Sequence, residues 1–240
     1  MPRPTESIIL QNYTLDLLLL PDGVRTVAKK TISITTAANA HATTINVTGA
    51  SGDDYEIKAG TSVSFASATG ATSRQQVLFT ADVEIGATGV AASVSPLFKA
   101  IAANATASVL PGSIPLFGVQ SFDLQSQETT VDVTNVQSGS GTESAMVRFN
   151  RTIAVNGVAL IGDVALDNII KRLTFNTTFA NREVYAIATY PTGEKYEGAA
   201  KIMGYTSPGN QNEVARYQFN LQFQGDSFIY TPANPSLTAS

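Results

Sequence analysis

Two short clusters carry side chains whose types suit metal or phosphate binding. Asp53, Asp54 and Glu56 place three carboxylates together, a donor set that suits calcium. The EF-hand spacing with its distal Glu is missing, so an acidic turn explains the same residues. Gly139-Ser140-Gly141 is glycine-rich but lacks the lysine and the strand-to-helix context of a phosphate loop. We therefore expect no cofactor and no metal.

The composition also argues against catalysis and against sequence-specific nucleic-acid binding. The 240 residues include no cysteine and one histidine, His41. Thiolate metal sites and Ser-His-Asp machinery are thereby excluded. A sequence pI near 5.0 and a net charge of −4 do not provide the basic surface of a groove-reading protein. We expect that the protein is not an enzyme.

Neither a membrane span nor a secretory signal is apparent. The apolar run Leu17–Leu20 is far shorter than the ~20 residues needed to cross a bilayer. The first six residues, Met-Pro-Arg-Pro-Thr-Glu, do not resemble a signal peptide. We therefore expect no membrane anchor and synthesis in the cytoplasm. Because charged residues make up only 14% of the chain, other subunits are expected to cover part of its surface.

The clearest strand, Val214 to Gln224, has one aromatic and one amide face. Its apolar side chains are Tyr217, Phe219, Leu221 and Phe223, and its amides are Gln218, Asn220, Gln222 and Gln224. A solvent-facing strand of a monomer usually carries Lys and Glu, partly to block edge pairing. A row of amides suits a face that stays wet and adheres weakly to whatever passes it, although a routine polar face has the same appearance.

Other patterns position this strand in a mainly β fold. Asp163–Leu173 is predicted as a helix, because Asp163 suits the N-cap and apolar residues recur every 3.6 positions. Strands are predicted at 184–190 and 195–205, joined by a tight turn at Pro191-Thr192-Gly193. The stretch 137–144 contains no apolar residue and is predicted as a mobile loop.

A composition change near residue 110 predicts two parts. Residues 1–110 are rich in Ala, Thr, Ser and Gly in short β-like runs, and Leu110–Pro115 reads as a boundary. We predict an N-terminal all-β module over 1–110. Residues 111–240 are predicted to form an antiparallel β-sandwich or barrel with one α-helix, about 163–173, packed on its sheet, and an extended C-terminal tail.

From about Leu116 to Tyr230 the chain resembles a major tail tube protein of tailed bacteriophages. The order of its pieces matches the family: an opening strand pair, a long hairpin loop, a helix, a hairpin, and a closing strand that ends in Gly-Asp. These correspond to Val119–Leu124 with Val131–Asn135, 137–145, Asp163–Leu173, Tyr185–Gly198 and Glu213–Asp226. The first ~110 residues match the family less well. They are expected to form either an outward decoration or part of the tube wall.

The resemblance implies a structural role in the virion. Subunits of this family form hexameric rings whose inner sheets join into one β-barrel, and the rings stack into a hollow tube that conducts genomic DNA. The implied partners are other copies of the chain, a sheath or tail terminator, the baseplate, the tape measure protein, and double-stranded DNA that passes without specific binding. Assembly is expected in the host bacterial cytoplasm.

Two groups of residues follow from this expectation. A wall that lets a polyanion slide should be polar and net negative, so the predicted lumen residues are Asp123, Asp132, Gln218, Asn220 and Gln222. The predicted inter-ring loop orders only when it packs between rings, and it consists of Gln137, Ser138, Gly139, Ser140, Gly141, Thr142, Glu143 and Ser144.

Three other functions remain open at this point. The main alternative is a capsid decoration or head-stabilising β-protein of a phage, to which the Ala/Thr-rich N-terminal part is equally suited. A carbohydrate-binding β-sandwich would need aromatic residues exposed on a sheet face, yet tryptophan is absent and residues 217–223 are needed for the core. An enzyme lacks an identifiable nucleophile–base pair.

Overall fold

The computed structural model describes residues 13–21, 23–66, 74–133, 144–175, 183–207 and 215–232. These residues form sixteen strands, one helix and a 3-10 turn. The strands are β1 Thr14–Leu19, β2 Lys30–Ile34, β3 Thr44–Thr48, β4 Tyr55–Ile57, β5 Ser62–Ala66, β6 Arg74–Leu78, β7 Val83–Ile85, β8 Val90–Ser93, β9 Thr106–Val109, β10 Ile114–Leu116, β11 Val119–Asp132, β12 Ser144–Val158, β13 Glu183–Thr189, β14 Lys195–Thr206, β15 Arg216–Phe223 and β16 Ile229–Thr231.

The largest sheet is antiparallel throughout, with strand order β10-β1-β13-β14-β15-β12-β11 and β16 added beside β14. In β15 the predicted alternation is confirmed, because Tyr217, Phe219, Leu221 and Phe223 are all buried. The predicted turn at 191–193 is confirmed as well: Gly193 has φ of 89° and donates its N–H to the Tyr190 carbonyl at 2.9 Å.

One helix covers the buried face of this sheet, as predicted. It begins as a π-helix over Ala165–Lys171 and ends as an α-helical turn over Arg172–Thr174. Its Leu166, Ile169, Ile170 and Leu173 share one core with β1, β12, β13 and β15. The i, i+3, i+4, i+7 spacing of these residues predicts the buried stripe but gives no sign of the wider π turn.

One prediction about strands in this sheet is wrong, and one strand was not predicted. The separate strands expected at 119–124 and 130–136 are one strand, β11, whose polar middle obscured its continuity. Residues 14–19, noted only as part of an apolar run, form β1, which pairs along its whole length with β13. The predicted division at residue 110 therefore does not hold for β1, because this strand belongs to the large sheet.

Strands β2 to β9 form a separate layer of small sheets with its own core. Four of them make a sheet in the order β8-β3-β2-β9, and β4-β7 and β5-β6 are two-stranded pairs. Their buried side chains, such as Ile32, Val47 and Phe79, form one cluster. The first and last strands pair with each other, Lys30 opposite Val109. We call residues 30–109 the inserted module, because they lie between β1 and β10, which are paired neighbours.

Candidate functional site

The face of the large sheet opposite the helix carries amide side chains on β11, β12 and β15, whereas the inserted module packs on the β1–β13–β14 part of the same face. Strands β11, β12 and β15 lie side by side, and Asp123, Ala154 and Asn220 are register partners across them. Because alternate residues of a strand point to opposite faces, the neighbours of these three residues face the core instead. Phe122, Val155 and Phe219 are accordingly buried. We call the opposite surface the amide face.

A polar recess of about 320 Å³ runs along this face. The lining residues are Asp123, Gln125, Gln127, Asn150, Thr152, Ala154, Asn156, Gln218 and Asn220. Gln222 lies beside them and donates its Nε2–H to Asn150 Oδ1 at 3.0 Å. The structure thus brings together four of the five residues predicted for the lumen: Asp123, Gln218, Asn220 and Gln222.

Asp132 is separated from this group. It lies nine residues after Asp123 on β11, an odd number, and β11 contributes no extra residue to the bulge between Thr129 and Thr130. Strand alternation therefore directs Asp132 to the face opposite Asp123. Asp123 and Asp132 therefore do not share one face of β11, and a lumen position for Asp132 stays a prediction.

Sequence reasoning missed half of the amide face. Gln125 and Gln127 continue the alternation of Asp123, and Thr152 and Asn150 lie opposite them on β12. Asn156, also on β12, lies opposite Ser121. The signal was present as a second row of polar side chains at spacing two. It was not recognised because residues 146–155 also contain arginines and apolar residues that do not face the recess.

The amide face is close to electrically neutral. Asp123 is the one charged side chain among the nine residues that line the recess. Arg148 and Arg216 occur on the same face, since they are register partners of Thr129 and Val158 at positions in phase with the amides. Lys201, opposite Gln222, lies 3.7 Å from the carboxylate of Glu183. Of the charged groups named here, Asp123 and Glu183 are anionic and Arg148, Arg216 and Lys201 are cationic, so this part of the amide face is not net negative as predicted.

The far end of the β11–β12 hairpin projects as a two-stranded arm. Strand β15 pairs with β12 from Thr152 onward, so 126–132 and 144–151 have no third strand among the described residues. We call these two stretches the arm. Its exposed side chains include Phe149 and Val131, with Val133 just beyond. Isolated two-stranded ribbons are marginally stable in water, so the arm is suited to a partner.

The predicted inter-ring loop follows β11 and precedes β12 in the sequence. Residues 137–143 fall outside the described residues, and Ser144 is the first residue of β12. At the base of the arm the Arg151 guanidinium lies over the rings of Phe149 and Phe228, at 5.0 Å and 4.6 Å from their centroids. These cation–π contacts hold the base of the arm against the sheet.

At the other end of β12, one buried carboxylate organises the turn that leads into the helix. Asp163 Oδ1 accepts the N–H groups of Ala165 and Leu166 at 2.9 and 3.2 Å, which confirms the predicted cap. Asp163 Oδ2 accepts the Phe117 N–H at 2.9 Å. Burial raises the pKa of Asp163, while these three hydrogen bonds oppose the shift. The turn is thereby tied to the β10–β11 connection.

The family assignment rests on a match over the strands just described. A family model described as phage tail tube protein matches residues 104–227, just over half of the chain. The chain belongs to the phage tail tube protein family. The matched part contains the amide face, the arm and the helix of this tail tube protein.

The chain has only low sequence identity to solved structures. A chain from the tail of an empty gene transfer agent particle is 22% identical, with a TM-score of 0.39, and the match covers 48% of this chain and 83% of that one. A chain from the virion of a native gene transfer agent particle is 21% identical, with a TM-score of 0.41 and coverage of 50% and 89%. No curated protein matches the chain.

The inserted module contacts the large sheet through a polar junction. A cavity of about 300 Å³ lies between them, and its lining includes Asp16 of β1, Thr61 and Ser64 of the module, and Lys195 of β14. Burial raises the pKa of Asp16 to about 7, with Lys195 and the Ser62 N–H acting in the opposite direction. Asp16 Oδ1 has no hydrogen-bond partner among the described residues.

Within the described ranges, no three His, Cys, Asp or Glu side chains lie close enough together to hold a metal ion. None of the helical segments described here has the length and apolar character to span a bilayer.

Proposed function

We propose that this protein is the major tail tube subunit of a phage tail, a structural protein rather than an enzyme. Its copies form hexameric rings that stack into a hollow tube, assemble in the host bacterial cytoplasm and conduct DNA out of the virion. Membership of the family supports a role in the tail tube, and the chemistry of the amide face supports DNA conduction. Tape measure, baseplate and sheath or terminator proteins complete the set of partners.

The amide face has the chemistry of a wall past which DNA slides. A basic wall would hold DNA through counterion release, with an affinity that rises with each phosphate contact. Here the recess carries one carboxylate, from Asp123, and otherwise amides, a hydroxyl and a methyl group. Part of the hydrogen-bonding capacity is used internally, as in Gln222 to Asn150, which leaves fewer free donors for phosphates. We place Asp123, Gln218, Asn220 and Gln222 at the lumen.

The open edges of the sheet support ring closure. Strands β10 and β11 are the ends of the strand order, and each pairs on one side only within the described residues. Unpaired strand edges are templates for further pairing. Pairing between the edges of neighbouring copies is heterologous, and it forms a ring when the rotation closes. We propose that the loop 137–144, which connects β11 to β12 in the sequence, packs between such rings.

Electron microscopy of the purified protein tests the tube. Tubes of uniform bore are expected in negative stain, whereas protein that stays unpolymerised and binds emptied capsids would favour a head decoration instead.

Cationic substitutions test the lumen assignment. Asp123→Lys and Asn220→Lys particles should release DNA more slowly than wild type, and added salt should restore the rate. Glu84→Lys is the matched control, since Glu84 is an exposed carboxylate in β7 of the inserted module. If the Asp123→Lys and Glu84→Lys particles eject DNA at equal rates at low salt, the assignment of the amide face to the lumen is refuted.

A further inference from the structure

The large sheet curls until its two edges nearly meet. Strands β10 and β11 are the two ends of the strand order, yet only Phe117 and Gly118 separate them in the chain. Such a connection spans at most about 11 Å, whereas the six strand spacings of a flat sheet would place these edges about 29 Å apart. The Val158 N–H of β12 donates to the Gly118 carbonyl at 2.8 Å, which ties the connection to the sheet. The sheet is therefore wrapped rather than flat.

One apolar core fills the inside of this curl. Leu17 of β1 and Val155 of β12 are fully buried members of it. The ring of Phe122 on β11 lies 5.2 Å from that of Tyr13, just before β1, and 5.4 Å from that of Tyr190, just after β13. In a flat sheet β11 and β13 would be about 19 Å apart. Strands β1 and β13 thus lie across the core from β11 and β12, and the outer surfaces of these two strand pairs face opposite directions.

The inserted module is held on the surface that faces away from the amides. Asp16 of β1 and Glu197 of β14 are both register partners of Ile187 on β13, so the three side chains share one face. The Asp16 carboxylate accepts the N–H of Ser62 in β5 of the module. The Glu197 carboxylate pairs with the ammonium of Lys29, which directly precedes β2. The module therefore docks on β1, β13 and β14, whereas the amide face belongs to β11, β12 and β15.

The module joins the large sheet at a single place and leaves its pairing intact. Leu17 of β1 is the register partner of Ile114 in β10, and Lys30 of β2 is the partner of Val109 in β9. The module is therefore an insertion into the β1–β10 hairpin, and it has an apolar core of its own. The family match over residues 104–227 leaves most of the module out. The sheet that carries the amide face is thus complete without it.

We propose that the inserted module is the outer surface of the tail tube and takes no part in lining the DNA channel. The assignment rests on the proposed function, because the module faces the medium only if the amide face, across the core, lines the lumen. The surface it then offers is uncharged where the strands β3, β8 and β9 expose Thr44, Asn46, Ala91, Ser93 and Thr106. Any protein that encloses the tube meets the module before it meets the large sheet.

Single cysteines test which surface faces the medium, because the chain contains no cysteine. Asn46→Cys and Glu84→Cys place a thiol on exposed strand positions of the module, and Gln218→Cys places one on an exposed position of the amide face. Reaction with N-ethylmaleimide checks each thiol in the unassembled subunit. Assembled tubes are then treated with maleimide-activated serum albumin, which is too wide for a channel that fits one DNA duplex. The module thiols should couple in tubes as in free subunits, whereas Gln218→Cys should lose its coupling on assembly.

The outcomes separate this placement from the proposed function. Coupling at either module position in tubes, with Gln218→Cys protected, supports the placement. Protection of both module thiols together with Gln218→Cys would overturn it and leave the lumen assignment intact. Coupling at Gln218→Cys in tubes would refute the lumen assignment, and the placement of the module with it. If wild-type protein forms no tubes at all, the proposed function itself fails.

Discussion

Replacement of Asp16 by Asn should stabilise the subunit, and increasingly so as the pH rises. Asp16 is 2% exposed, at the junction between β1 and the inserted module. Burial raises its pKa from 3.8 to about 7, so the folded protein holds this proton more tightly than the unfolded chain does. Asn has nearly the same shape, carries no charge and keeps an oxygen for the Ser62 N–H.

The magnitude follows from the two pKa values. A carboxyl group whose pKa is raised on folding lowers stability as the pH rises above the unfolded value, and the loss is complete above the folded value. With 3.8 and about 7, the wild-type chain loses about 0.5 kcal/mol at pH 4, about 3 kcal/mol at pH 6 and about 4 kcal/mol at pH 8. Asp16→Asn avoids this loss, so its advantage should grow over that window and level off beyond pH 7.

Urea unfolding of unassembled subunits at these three pH values measures the effect. Asp123→Asn is the control, because Asp123 is an exposed carboxylate on the amide face. Its free energy of unfolding should stay within about 0.5 kcal/mol of wild type at every pH. The reasoning fails if Asp16→Asn is less stable than wild type at pH 8, since Asp16 would then be a charged group that the Lys195 ammonium stabilises.

Two further predictions concern the backbone and the loop. Gly118→Ala should cost about 3 kcal/mol or more, because φ is 73° and the added Cβ would lie 2.1 Å from the Val158 carbonyl oxygen. Gly23→Ala, with φ of 77° and open space around it, should cost only about 1–2 kcal/mol, so equal urea midpoints would contradict the steric account. Deleting 138–144 should leave soluble subunits that do not polymerise, whereas deleting 234–240, the same length, should leave tubes intact; tubes in both would refute a role for the loop.

Local patterns in the sequence predicted the elements whose side chains face one well-defined environment. Strand β15 was predictable because its aromatic residues alternate strictly with amides. The helix and its cap were predictable because Asp163 precedes an apolar stripe of helical period. Such signals are local, because burial of one face of an element requires apolar residues at regular spacing along the chain.

The tertiary structure alone decided which strands meet. Nothing local shows that β1 inserts between β10 and β13, since these pairings join residues separated by about a hundred positions or more. The phase that separates Asp123 from Asp132 depends on β11 being one strand paired continuously with β12. Asp16 is buried where β1 meets both its neighbouring strands and the inserted module. Residue types thus determined the row of amides in β15 and the capped helix. The positions of these elements in the fold depended on long-range strand pairing, which no short segment encodes.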